Sequence, residues 1–274
     1  MSNLYIVATP IGNLEDITIR AKKILKNIKI ILAENTNNSK KLLNKIDYNG
    51  KIIQYNDHSK EKDINHILDL LNDNDIALIS DAGTPGVCDP GSFLISLAKK
   101  NNHEVIPIPG PSSLIAAFSV SGFSSNEFQF IGFLPKKLKA KEEKLIEIEK
   151  NIFPTIIFES PHRFNKTLEY IEKIMPDREI FIAKEITKIY ESYIHGNAET
   201  IKKKFHQENI KGEFVIVING NKMINKCLNK SDEIKKIIKT MKNENIPGKV
   251  VSRIVSQNFN ISKNSVYKLF LDSP

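Results

Sequence analysis

The stretch "DIALISDAGTPGVCDPGSFLISLAKK", residues 75–100, decides the fold. "DIALI" is a short apolar run of strand type and "SFLISLAKK" a helix-like run, so the chain passes from strand to helix through "SDAGTPGVCDPG", residues 80–91. Those twelve residues hold two Asp, three Gly, two Pro and no basic residue. Outward from here the same alternation repeats. Strands are predicted at "LYIVA" (4–8), "IKIILA" (28–33), "KIIQY" (51–55), "IALIS" (76–80) and "EVIPI" (104–108), with helices such as "DITIRAKKILKN" and "EKDINHILDLLND" between them. Strands and helices in alternation predict a parallel α/β sheet. A second set, "FQFIGFL", "PTIIFES", "EIFIAKEI", "ESYIHG" and "EFVIVING", has fewer helices and closer strands, which predicts a mixed sheet. The Ser- and Gly-rich "SVSGFSSNEF", residues 119–128, divides the two. The expected domains are 1–118, 119–225 and a basic helical region, 226–274.

That last region has no strand pattern from about Ser231. Val250, Val251, Ile254 and Val255 share one helical face, and Ser262 is placed to cap a second helix carrying Val266, Leu269 and Phe270. A turn of about three residues between them is that of a helix-turn-helix unit. Residues 221–274 carry eleven Lys or Arg against four Asp or Glu, so nearly all of the chain's net +8 sits there. Such a surface is either a solvated helical face or a contact for a polyanion, with Lys249, Arg253, Lys263 and Lys268 as the contacting groups.

Composition bounds the rest. A chain of 274 residues, 41% hydrophobic and 26% charged, is that of an ordinary globular protein. No run of about 18 apolar residues implies a membrane span, and "MSNLYIVATP" is not a signal peptide, so a cytoplasmic protein is expected. Two Cys, Cys88 and Cys227, and six scattered His offer neither a disulfide framework nor metal-ligand spacing, and no metal is expected.

There is no GxGxxG, Walker loop or G-x-S-x-G. Instead three strand ends carry small, stiff loops: "ATPIGN" (8–13), "SDAGTPGVCDPG" (80–91) and "PIPGPSS" (107–113). Ligands of open α/β sheets bind beyond the carboxyl ends of the strands. Gly admits close approach to the backbone, and Pro orders the loop before a ligand arrives. Without basic side chains the loops are no phosphate cradle, while Asp81 and Asp89 suit a cationic ligand rich in hydroxyls and amines. S-adenosylmethionine, with its sulfonium, ammonium and ribose, is one such ligand.

The blocks "LYIVATPIGNLEDITIRA", "SDAGTPGVCDPG", "PIPGPSSLIAAFSVSG", "FIGFLP", "FESPHR", "EITK" and "KGEFVIVI" occur in one order with one spacing. Together they closely resemble the ribosomal RNA small subunit methyltransferase I family, within the tetrapyrrole methylase superfamily. The resemblance runs from about Leu4 to Ile218 and extends to the helical tail. It implies an α/β protein with two α/β domains of tetrapyrrole methylase type, the cofactor in the cleft between them, and a small helical C-terminal region. It implies S-adenosylmethionine-dependent methylation of a cytidine ribose 2′-hydroxyl in the decoding region of 16S rRNA, by a homodimer acting on 30S subunits. By position, Pro10 and Gly12 would form one cofactor wall, Asp81, Ala82, Gly83, Thr84 and Pro85 a second, and Gly110, Pro111, Ser112 and Ser113 a third.

A ribose hydroxyl is a poor nucleophile at neutral pH, so a general base would help. Glu34, Glu159 and Glu185, each at a strand end, are the candidates; each is equally suited to a salt bridge or a helix cap. Arg163 and Lys184 are candidates for RNA phosphate or the cofactor carboxylate. Lys136, Lys137, Lys139 and Lys141 in "GFLPKKLKAKEEK" read as an RNA clamp or a solvated loop. Two segments depart from the family. Glu34-Asn35-Thr36-Asn37 stands where it usually reads Glu-Asp-Thr-Arg, and Asn56-Asp57-His58-Ser59 where it tends to read His-acid-His-Asn. A small-molecule (tetrapyrrole) methylase of the same fold, and an RNA-binding or assembly factor with impaired catalysis, are the competing functions.

Overall fold

A computed structural model describes residues 2–205, 210–259 and 261–272, and of 223–232 the backbone alone; the Cys227 side chain lies outside the described residues. Contacts gather the chain into two compact units, Met1–Leu145 with Pro154–Asn219, and Ile146–Phe153 with Gly220–Pro274. Both sheets belong to the first unit.

The first sheet holds β1 (Asn3–Val7), β2 (Ile30–Ala33), β3 (Lys51–Gln54), β4 (Ile76–Ile79) and β5 (Glu104–Ile108) in the order β3-β2-β4-β1-β5. Every pairing is parallel. Parallel strands need crossovers, which here are α1 (Ile19–Asn27), α2 (Thr36–Lys45), α3 (Glu61–Asp73) and α4 (Ser92–Lys100). Helices cover both faces, so β2 and β4 are wholly buried and read as unbroken apolar runs. Alternation along β2 sends Ile31 and Ala33 into one cluster with Leu25 and Leu43, and Ile30 and Leu32 into the other with Ile67 and Leu94. The helix expected from residue 16 begins at 19, because the Thr18 hydroxyl accepts the Ala21 amide proton and fixes the N-terminus.

The second sheet holds β6 (Gln129–Phe133), β7 (Thr155–Glu159), β8 (Ile180–Lys184), β9 (Ser192–Gly196) and β10 (Phe214–Ile218) in the order β6-β7-β10-β8-β9. Only β6 and β7 run parallel, so the sheet is mixed, as its closely spaced strands predict. Its helices are α5 (Ser113–Val120), α6 (Leu138–Lys150), α7 (Pro161–Ile174) and α8 (Ala198–Phe205). On α7, Phe164 stacks against Phe214 with centroids 4.2 Å apart and meets Phe205 edge-on. A domain limit at residue 118 falls inside α5, which packs on β7 and β10. The Ser- and Gly-rich signal read there marks the end of this helix, where Gly122 takes a φ of +73°.

The second unit contains α9 (Lys222–Asn243), α10 (Gly248–Phe259) and α11 (Lys263–Asp272). Ile234 and Ile238 of α9, Val251 and Val255 of α10 and Val266 of α11 close one small core. Ser262 caps α11 by accepting the Ser265 amide proton at 3.1 Å. Among the described residues no helix is long and apolar enough to cross a membrane.

Candidate functional site

The strand order puts β4, β1 and β5 side by side, so the three stiff loops leave the sheet as neighbours. They are tied by backbone. Thr9 N–H donates to the Gly83 carbonyl at 2.8 Å and Gly83 N–H donates back to Thr9 at 3.0 Å, a single antiparallel bridge. Gly83 makes this with a φ of +82°, which residues with a Cβ rarely adopt. The Thr9 hydroxyl donates to the Ser80 carbonyl at 3.2 Å, and Ala8 N–H donates to Ile108. A Cβ on Gly110 would meet the Ala8 side chain at 3.0 Å, so glycine lets the third loop close on the first. At the far end of the long loop, the Gly91 amide donates to Asp57 Oδ1 at 3.0 Å, and the buried Tyr55 hydroxyl donates to the same oxygen.

Above these loops lies a pocket of about 290 Å³. From the residues expected by sequence it takes Ala82, Gly83, Thr84, Asp89, Ser112 and Ser113 of the loops, and Glu159 of the candidate bases. The second sheet supplies an apolar wall that includes Phe133, Phe158 and Phe214. Gly132, with a φ of +65° at a register shift in β6, lets Cys88 approach; a Cβ there would lie 2.6 Å from the thiol sulfur. Of the remaining expected residues, Pro10 and Pro85 are buried, the Pro111 carbonyl faces the Thr84 hydroxyl at 3.5 Å, and Gly12 packs against Thr187 and Lys188 of the β8–β9 connection and lines a separate groove.

Asp81 is held by α2. It accepts from the Asn35 amide at 3.2 Å and the Asn38 side chain at 2.7 Å. Asn35 in turn caps α2, its side-chain oxygen accepting from the amides of Asn37 and Asn38. Asn and Asp are equivalent as N-caps. The departure at Asn35 therefore keeps the helix start and removes one charge from an acidic neighbourhood. Asn37 is exposed and accepts from Lys40.

The three candidate bases fare differently. Glu34 stands by Asp81, and burial together with Asp81 and Asp57 raises its pKa. Glu159 is fully buried and saturated: it accepts from Ser160 N–H and the Thr167 hydroxyl and pairs with Arg163 and Lys141. Glu185 accepts from Lys188 and the Glu213 amide; although burial alone would raise its pKa, these bonds hold it below the usual carboxylate range. The pocket carboxylate assigned only an electrostatic role from the sequence is Asp89. Burial, tempered by a Ser80 hydrogen bond and raised further by Glu34 and Asp81, lifts its pKa to about 6.

Of the expected RNA contacts, Lys136, Lys137, Lys249, Arg253, Lys263 and Lys268 are exposed. Lys184 lies over the Phe205 ring at 5.7 Å. Arg163 is turned inward, to the carbonyls of Leu134 and Pro135 and to Glu159. The clamp expected of four lysines has three, since Lys141 is 2% exposed and bonded to Thr167. Sequence spacing alone does not separate it from its neighbours, because the turn into α6 at Leu138 decides which lysine points inward.

The pattern of the Tetrapyrrole (Corrin/Porphyrin) Methylases matches residues 3–202. A ribosomal RNA small subunit methyltransferase I of Rickettsia prowazekii is 38% identical over 271 residues, 98% of this chain and 96% of its own. One of Halalkalibacterium halodurans is 42% identical over 219 residues, 80% of this chain and 76% of its own. Among solved structures, a cobalt precorrin-4 methyltransferase matches with a TM-score of 0.61 over 79% of this chain and 94% of its own, at 16% identity. A uroporphyrin-III C-methyltransferase from Thermus thermophilus, complexed with S-adenyl homocysteine, matches with a TM-score of 0.55 over 79% and 97%, also at 16%. At such identities the structures show a shared fold.

Asp89 carries a stability prediction. Its folded pKa of about 6 lies above the ordinary carboxylate value, so the ionised form is disfavoured by folding. Its contribution is most favourable at low pH and is lost as pH rises through about 6. Asp89→Asn is therefore expected to melt higher than the parent at pH 7.5, with the gain vanishing near pH 4, as read by calorimetric melting across that range.

Proposed function

The chain belongs to the tetrapyrrole (corrin/porphyrin) methylases, and from that premise we propose that it methylates the ribose 2′-hydroxyl of a cytidine in 16S rRNA of the small ribosomal subunit, using S-adenosylmethionine. The observation that carries this is the 38% identity to a ribosomal RNA small subunit methyltransferase I over 98% of the chain, tail helices included. The solved tetrapyrrole enzymes share only 16% with it, which favours the RNA substrate over a tetrapyrrole. An RNA substrate also accounts for the exposed cations Lys249, Arg253, Lys263 and Lys268 on α10 and α11. Exposed Ile115 and Val120 on α5 support a homodimer, and a ribosomal substrate supports a cytoplasmic location.

The pocket fits the cofactor chemically. Asp89, with Glu34 and Asp81 near it, favours a cationic ligand, the hydroxyls of Thr84, Ser112 and Ser113 suit a ribose, and Phe133 and Phe158 offer apolar surface to a base. When bound, S-adenosylmethionine supplies an activated methyl group on a sulfonium. The loops hold the reacting groups and exclude water, with little ordering left to do because Thr9 and Gly83 already join them. Asp89 would accept the hydroxyl proton at its carboxylate as the oxygen takes the methyl group, the electron pair of the broken methyl–sulfur bond staying with the cofactor as a neutral thioether. Glu159, enclosed by its four partners, is not available for that step.

Tritiated methyl transfer from S-adenosylmethionine to unmethylated 30S subunits, with nucleoside analysis, tests the proposal. Label is expected in 2′-O-methylcytidine; label in a tetrapyrrole precursor and none in 30S subunits would overturn it. Asp89→Asn is expected to lower kcat by about 10²–10⁴, while the parent rate rises with pH through about 6. Asn35→Asp with Asn37→Arg restores a cap-competent acid and a balancing cation, so the rate is expected to change only modestly. A jump from no turnover to full turnover in that variant would contradict the account.

A further inference from the structure

Residues 134–141, which comprise the connection 134–137 after β6 and the first turn of α6, are anchored at both ends by one buried cluster. At its start, the Arg163 guanidinium donates to the carbonyls of Leu134 and Pro135, at 2.5 and 3.2 Å, and pairs through Nε with Glu159 at 3.2 Å. At its end, Lys141 Nζ donates to the Thr167 hydroxyl at 2.8 Å and lies 3.7 Å from Glu159. Thr167 donates in turn to Glu159 at 2.5 Å, and the Lys141 amide bonds back to the Lys137 carbonyl. The Lys141 and Glu159 side chains are 3% and 0% exposed. Burial lowers the Lys141 pKa, with Glu159 offsetting part of the effect. Burying such groups is costly unless every partner is in place, and packing alone would be served as well by an apolar side chain. What the cluster gains is position. Between its anchors, Lys136, Lys137 and Lys139 are exposed and their ammonium groups have no partner among the described residues. The residue just before the segment, Phe133, lines the pocket, so the segment leaves from the pocket wall.

We propose that Glu159, Thr167, Lys141 and Arg163 are positioning residues that hold 134–141 as a fixed basic strap, which places Lys136, Lys137 and Lys139 against the phosphodiester backbone of the RNA whose nucleotide enters the pocket. The strap rests on the rRNA substrate proposed above for the role of its lysines, but not for its order. Fixed cations lose little side-chain and loop entropy on binding, so the gain appears in RNA affinity rather than in chemistry.

The test uses full-length protein with Thr167→Val, Lys141→Met, and the surface variant Lys136→Ala/Lys137→Ala/Lys139→Ala. Four quantities are read: tryptic cleavage within the strap of the free protein, Kd for 30S subunits, kcat, and cofactor Kd by calorimetry. Thr167→Val and Lys141→Met are expected to speed cleavage in the strap and to raise the 30S Kd by about five-fold, with cofactor Kd and kcat within about two-fold. The surface variant is expected to weaken 30S binding at least as much and to flatten its salt dependence by two to three released counterions, about 0.7–0.9 log units of slope each. Thr167→Val combined with the surface variant is expected to weaken binding no further than the surface variant alone. Unchanged strap cleavage in both cluster variants overturns the positioning role, as does a fall in kcat with 30S affinity intact. An unchanged salt slope in the surface variant overturns the RNA contact. Binding to 30S subunits that responds to these variants without any methyl transfer leaves the strap standing and removes the proposed reaction instead.

Discussion

The structure of the pocket depends on two hydrogen bonds between Thr9 and Gly83. They join the exits of β1 and β4, adjacent strands whose partners in sequence are far apart. Backbone polar groups at strand ends must find partners or water. Here they find each other, and the loops become one surface before any ligand arrives. Gly83 is required by its positive φ, and Gly110 by the approach of Ala8. Proline at Pro10, Pro85 and Pro111 adds to the same end by reducing the freedom of the unfolded chain.

A second constraint is electrostatic. Asp81 disfavours charge on Glu34, and Glu34 and Asp81 disfavour charge on Asp89. Asp81 accepts from the amide of Asn35 and the side chain of Asn38, while Asp89 sits in the pocket with its pKa lifted to about 6. A neutral cap at Asn35 keeps a further carboxylate away from this group, which Asp57 also adjoins. Elsewhere the chain settles its buried charges differently. Glu159, in the pocket wall, is surrounded by donors: the Ser160 amide, the Thr167 hydroxyl, Lys141 and Arg163.

Much of this was legible in the sequence, for physical reasons that differ by element. The apolar runs "IIL" and "IAL" announced buried parallel strands, and each of the ten strands among the described residues falls within its expected run except β1, which starts one residue earlier, at Asn3. The stiff loops announced a ligand site, though not that β4, β1 and β5 are neighbours; strand order is a long-range property. The polar α2 left no apolar stripe to read, and depends on the Asn35 cap. Roles of single charged residues were the least legible. Arg163, Glu159 and Lys141 look the same in sequence as solvated charges, and only their enclosure by Thr167 and the Leu134 carbonyl separates them. Asp89 was visible as an acid, but not its shifted pKa, which comes from burial and from neighbours that include the sequence-distant Glu34.

Amide hydrogen exchange at Thr9 and Gly83 in the free protein tests the central claim, that the loops are joined before the cofactor binds. Both amides are expected to exchange at least about 100-fold more slowly than an open loop, and to change little when S-adenosylmethionine is added. Fast exchange at both positions in the free protein, slowing only on addition of cofactor, would contradict the account and make the pocket a product of binding.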